Sequence, residues 1–157
     1  MSLAPSLQQY LNQHRVNFKI IEHPRACTAR AAACMASVEP RRLAKCVLLS
    51  DGDRYLVAVL PADRKVAIKQ LSEHLQHAYR MATEDEVAYL FYDCEPGAIP
   101  PFGQAYGLPT VVDPSLLEEP DVYFESGDHS SLVQVAGDQF AHLLGPVPRA
   151  EISINRY

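Results

Sequence analysis

The chain has 157 residues, 48% of them hydrophobic and 21% charged, with a formal net charge of -5. That length suits one domain built on one core, and the composition excludes the weakly hydrophobic, highly charged range in which chains stay disordered. The negative balance excludes broad, non-specific attraction to nucleic acid, which needs Lys and Arg clustered over phosphates, so no DNA partner is expected.

The opening stretch MSLAPSLQQYLNQHRVNFK interrupts its apolar residues with Gln, Asn and His. It lacks the apolar segment of a secretory signal, and no later run reaches the ~20 apolar residues of a membrane-spanning helix. A cytoplasmic location with no membrane partner is the expectation. Leu7, Tyr10, Leu11 and His14 fall at helical spacing with Pro5 near the start, which predicts an amphipathic helix. Val16, Phe18 and Ile20 then alternate as in a strand. The His23-Pro24 step breaks the pattern, Thr28 is placed to cap a short helix through ARAAACMA, and Pro40 ends that region.

Two β-rich runs, Cys46 to Leu49 and Tyr55 to Leu60, flank Asp51-Gly52 and predict a hairpin. Ile68, Leu71 and Leu75 mark a helix. Thr83 with Glu86 forms a capping box ahead of Val87, Leu90 and Phe91, each side chain satisfying the other residue's backbone N–H. Strands follow near Thr110 to Val112, Val122 to Glu125 and Leu132 to Val135, then a helix near Asp138 to Leu144 stopped by Gly145 and Pro146. The tail AEISINRY is a further candidate edge strand. Without regular βαβ alternation, repeat or linker, the expected fold class is α+β with a mixed sheet, in one domain over residues 1–157.

Charge is unevenly spread. Lys19, Arg25, Arg30, Arg41, Arg42 and Lys45 face only Glu22 and Glu39 in their stretch, whereas Asp113, Glu118, Glu119, Asp121, Glu125 and Asp128 follow without a base. Cys27, Cys34, Cys46 and Cys94 form no CxxC pair, which favours reduced thiols that are core or inert. His23, Cys27 and Cys34 match no tetrahedral zinc spacing, so no metal is expected. A nucleophile elbow, a P-loop, a dinucleotide fingerprint and HExxH are all absent from the sequence.

What remains is a stiff segment, Gly97-Ala98-Ile99-Pro100-Pro101-Phe102-Gly103. Its X-Pro steps enforce extended backbone and its glycines permit close approach. It is either a ledge of backbone amides aimed at an oxyanion or a connection whose Phe102 plugs the core. Lys45, entering an apolar strand, is either an edge residue reaching water or a cation held over a cleft. Ser126-Gly127-Asp128-His129 reads as an inter-strand turn, a place where binding groups are often displayed.

The order of EHP at Glu22 to Pro24, AKCVLL at Ala44 to Leu49, YLVAVLPADRKV from Tyr55, EPGAIPPFGQ at Glu95 to Gln104 and ESGDH at Glu125 to His129 resembles the YbaK/ProRS-associated family of aminoacyl-tRNA deacylases. The resemblance implies a curved mixed sheet, partly closed like a barrel, and a hydrolase that removes a wrong amino acid from the 3′ end of tRNA in trans. A small noncognate residue such as Ala or Cys on tRNA for proline is the implied target. Lys45 would be the essential cation and Gly103 part of the catalytic rim. His23, Thr28, Gly97, Ile99, Pro100, Pro101, Phe102, Gly127 and His129 would line the substrate, and Arg25, Arg30, Arg41 and Arg42 would meet the acceptor end. Mischarged tRNA is the implied partner, with an aminoacyl-tRNA synthetase as a further one, and no cofactor is implied. The alternative is a non-catalytic module of the same fold that binds tRNA or a synthetase. Pro100 stands where many relatives carry Ser or Thr, which removes a hydroxyl contact from that position.

Overall fold

The computed structural model describes residues 3–155. In chain order its helices are α1 (Pro5–His14), α2 (Ala29–Met35), α3 (Ile68–Leu75), α4 (Glu84–Leu90) and α5 (Gly137–Leu144). Its strands are β1 (Lys19–Glu22), β2 (Leu43–Ser50), β3 (Tyr55–Pro61), β4 (Arg64–Val66), β5 (Arg80–Met81), β6 (Thr110–Val112), β7 (Asp121–Glu125), β8 (Ser131–Ala136) and β9 (Ser153–Asn155). The main sheet runs β1-β8-β7-β2-β3-β6, with β5 also on β2, while β4 and β9 form a separate pair. β2 pairs antiparallel with β3 but parallel with β7, and β3 is parallel to β6, so the α+β mixed sheet holds. Among the described residues the sheet is open: its path ends at β1 and β6 without joining them, where partial closure was expected.

Local chemistry accounts for most boundaries. Pro5 occupies the first turn of α1, where its missing N–H costs nothing. The Thr28 hydroxyl accepts from Ala31 N–H at 3.1 Å and starts α2. At α4 both halves of the capping box form, with Thr83 N–H donating to Glu86 and Glu86 N–H donating to Thr83. The hairpin is longer than the two apolar runs suggest, with paired register from Ala44↔Pro61 to Ser50↔Tyr55. Strand β1 begins only at Lys19, after the alternation that starts at Val16. β4 and β5 were not foreseen, because three and two residues leave no periodicity to read. The tail supplies β9 up to Asn155, and its last two residues lie outside the described range.

The two faces of β2 sort the core. Ala44, Cys46 and Leu48 face the largest apolar cluster, where Leu7, Leu11, Phe91, Phe102, Phe124 and Phe140 are fully buried. On the other face Leu43 joins the α2 cluster with Ala33 and Leu132, while Val47 and Leu49 join the α3 cluster with Leu71 and Val111. Lys45 stands between these two clusters on that same face, because side chains alternate along a strand. The sheet thus presents its one mid-strand lysine at the seam between two covering helices.

Candidate active site at the seam

Lys45 is half-buried and lines a cavity of about 200 Å³ with Thr28, Ala29, Arg30 and Ala62. The walls come from local rules already described: Thr28 is fixed by its cap, Arg30 follows on the first turn of α2, and Ala62 closes β3's end. A cation over a cleft is therefore the reading of Lys45 that holds, rather than an edge residue, since β2 is flanked by β3 and β7.

A second group of predicted residues gathers alongside. Ala26 N–H donates to the His129 carbonyl and His23 N–H to the Ser130 carbonyl, each at 2.9 Å, which ties the segment before α2 to the turn after β7. That turn holds the proline loop in turn, since Glu95 N–H donates to the Gly127 carbonyl at 2.8 Å and His129 Nε2 lies 2.8 Å from the Pro96 carbonyl. At the loop's head Ala98 N–H closes on the Glu95 carbonyl, with Pro96 and Gly97 at the two central positions and Gly97 at φ +86°. That is the sequence and hydrogen bond of a type II turn, which calls for glycine at the third place. A side chain at Gly97 would meet the His129 ring at 3.3 Å and the Cys27 carbonyl at 3.6 Å. Cys27 immediately precedes Thr28, so Gly97 and His129 border the segment whose next residues wall the Lys45 cavity.

The rest of the proline loop sits elsewhere. Ile99, Pro100, Pro101, Phe102 and Gly103 are buried, Ile99 and Phe102 in the largest cluster, and none of them lines the Lys45 cavity. Phe102 stacks near Tyr10 and meets Phe124 edge-on, with centroids 5.5 and 5.0 Å apart. The plug reading of Phe102 prevails, and within the expected ledge the Ala98 amide donates to the Glu95 carbonyl. Gly103 is a packing position: a Cβ there would lie 2.4 Å from Thr110 Oγ1 and 2.8 Å from the Leu108 carbonyl. Gly127 is another, at φ +112° with Ala4 Cβ 2.7 Å from where its own would be.

The arginines expected to meet RNA are arranged unequally. Arg25 pairs with Glu95 at 2.8 Å, Arg41 with Glu39 at 2.7 Å, and Arg42 lies 3.5 Å from Glu119. The Arg25 pair holds the Glu95 carboxyl below its usual range, chiefly through the hydrogen bond. The Arg25 and Arg41 pairs are exposed, and exposed pairs add little stability. Cys27 and Cys34 are exposed rather than core, whereas Cys46 and Cys94 are partly covered. Burial pushes the thiols of Cys46 and Cys94 up, Cys94 to about 12, so neither is a thiolate nucleophile at neutral pH.

Sequence reasoning missed Glu125. The residue is 3% exposed, its Oε2 has no hydrogen-bond partner among the described residues, and burial, aided by Asp128, pushes its pKa up to about 8. His23 Nε2 and Arg42 Nε are the other such atoms among the described residues, His23 Nδ1 being 2.7 Å from the Pro24 carbonyl. The signal was an acid at a strand end whose alternation with Tyr123 puts it on the α2 face. A larger cavity, about 460 Å³, opens at the β3–β6 edge beside Asp51, His77 and Tyr79, but no residue from His23 to Arg30 or from Gly127 to His129 reaches it.

Solved structures share this fold. A candidate trans-editing enzyme for prolyl-tRNA synthetase is 23% identical, covering 98% of this chain and 100% of that one with a TM-score of 0.82. A chain from a study grafting epitopes onto scaffold proteins by computational design is 21% identical over 97% of both chains, with a TM-score of 0.82. A candidate signal transduction protein from Marinobacter aquaeolei VT8 is 20% identical over 96% of this chain and 30% of that one, with a TM-score of 0.78. No curated protein gives a match. The model of the aminoacyl-tRNA editing domain matches residues 23–143, from the buried histidine before α2 to the penultimate residue of α5, and so the chain belongs to the aminoacyl-tRNA editing domain family.

Proposed function

We propose that this protein is a trans-acting deacylase that hydrolyses the ester of a mischarged tRNA, with a small noncognate amino acid such as alanine or cysteine on tRNA for proline as its substrate. The observation that carries the reading is the cavity in which Lys45 and Arg30 stand together beside Thr28. Two cations at a small cleft suit the phosphate and ribose of one acceptor end, and so few contacts are compatible with a net charge of -5. The small volume favours a small acyl group, although fit alone separates amino acids that differ by one methylene by only ~1–3 kcal/mol.

An aminoacyl ester needs no protein nucleophile. Water adds to the carbonyl carbon, the ester C–O bond breaks, the ribose oxygen leaves as a hydroxyl, and the amino acid departs as a carboxylate. The protein's part is to orient the ester, hold the terminal phosphate or ribose with Lys45 and stabilise developing negative charge. Gly97 and His129 would border the acyl side. Arg25, Arg41 and Arg42 lie further from the cavity as candidate RNA contacts. A panel of mischarged tRNAs tests the reading: ester loss with the wild type and not with Lys45→Ala supports it. Tight tRNA or synthetase binding with every ester intact would instead identify a binding module.

A further inference from the structure

One further polar residue stands near the Lys45 seam without lining the cavity: Glu125, whose Oε2 has no hydrogen-bond partner among the described residues. In β7, Tyr123 packs into the α2 cluster, and Glu125, two residues on, shares that face. The parallel register pairs Leu43 with Tyr123 and Ala44 with Phe124 and ends there; Lys45 and Glu125 are the next residues along the two strands, and alternation puts them on the same face. On β7's other side Glu125 is opposite Leu132 of the α2 cluster. A carboxyl group has been placed where an apolar residue would extend that cluster, at the cost of a buried oxygen with no partner among the described residues.

We propose that Glu125 is a positioning residue for Lys45: from one strand over, its carboxyl group sets how far the Lys45 ammonium extends into the cavity formed with Thr28 and Arg30. Burial keeps the group protonated at neutral pH, and a neutral neighbour leaves the ammonium directed at the cleft. Loss of that proton would make Glu125 a buried anion one strand away, and attraction between charges poorly screened by water would draw the ammonium back.

The other titratable and charged groups on the surrounding elements are Asp121 and Tyr123 on β7 itself, Asp128 and His129 in the following turn, Lys19 and Glu22 on β1 with His23 just after it, and Arg30 and Cys34 on α2. Asp128 opposes ionisation of Glu125. Its own Oδ1 is held by Ser130 N–H at 2.8 Å and by the Ser131 hydroxyl at 3.1 Å. It is therefore fixed in place.

The effect on turnover rests on the deacylase reading, but the coupling of the two side chains does not. The test follows Lys45 Nζ and the Glu125 carboxyl carbon by NMR in the full, ligand-free chain from about pH 6 to 9.5, and measures deacylation of mischarged tRNA over the same range. In the wild type the Lys45 signal should move with the Glu125 midpoint, and KM should rise about tenfold, the size of one pKa unit of coupling. In Glu125→Gln, a neutral isostere, both inflections should vanish while the neutral-pH rate stays close to wild type. A Lys45 signal that ignores the Glu125 titration overturns the proposal, and the wild-type titration alone decides this if the variant folds poorly. Coupled signals without hydrolysis of any ester would remove the deacylase reading and leave the positioning role. Hydrolysis with the same alkaline inflection in both proteins would do the reverse.

Discussion

His129 Nε2 lies 2.8 Å from the carbonyl of Pro96, joining the turn after β7 to the head of the proline loop. The ring also fills the space left by the missing side chain of Gly97. The loop's position is therefore set from outside by a histidine and from inside by Phe102. One residue borders the proposed substrate cleft while the other anchors the core.

Removing that histidine should loosen the rim. His129→Ala loses one partly buried hydrogen bond and leaves the Pro96 carbonyl unpaired, a cost of about 1–2 kcal/mol. Urea unfolding should show the midpoint falling without a change of slope, and hydrogen exchange at Ala98 should quicken. Exchange at wild-type rates would mean that the ring does not hold the loop.

Gly103 offers a contrast. A methyl group there would come within 3 Å of Thr110, the Leu108 carbonyl and Val57, so Gly103→Ala should destabilise the fold by about 1–3 kcal/mol through overpacking. Deacylation per folded molecule should be nearly unchanged. A selective loss of rate at full stability would restore Gly103 to the reaction.

Helix caps, the hairpin and the stop of the C-terminal helix were legible because each is written in adjacent residues: Thr28, Thr83 with Glu86, Asp51-Gly52, Gly145. That Lys45 enters an apolar strand was legible too, but whether it reaches water at an edge or stands over a cleft was not. What could not be read was how two helices divide that face, since the gap between the α2 and α3 clusters depends on packing between residues far apart in sequence. For the same reason the proline loop was half understood. Its stiffness is local, but whether Phe102 meets ligand or core is decided by Tyr10, Phe124 and Phe140. Glu125 was passed over as one charge in an acidic run, because burial is invisible in a charge count.

Stability should carry the mark of Glu125. Its folded pKa, about 8, lies above the ordinary value of 4.5. Between these values the folded chain holds a proton that the unfolded chain has released, so raising the pH favours unfolding. The contribution is complete below the ordinary pKa, falls away as pH rises towards 8, and reaches on the order of 5 kcal/mol in total. Denaturation of wild type and Glu125→Gln across this window should show the two curves diverging, the variant gaining relative stability as pH rises. Parallel curves would place Glu125 at an ordinary pKa.

Arg30 lines the cavity and, in the proposed complex, meets the acceptor end. Arg30→Ala should weaken binding of mischarged and correctly charged tRNA alike and reduce the slope of log affinity against log salt by about 1. An unaltered salt slope would assign Arg30 a role within the protein alone.

The most direct test of the account is the rate of ester loss from alanyl- and cysteinyl-tRNA for proline, with wild-type protein and with Lys45→Ala at equal folded concentration. The prediction is hydrolysis of at least one ester by the wild type, falling to the uncatalysed rate in the variant while its melting curve stays cooperative. Equal hydrolysis by the two proteins would contradict the central place given to the lysine at the seam.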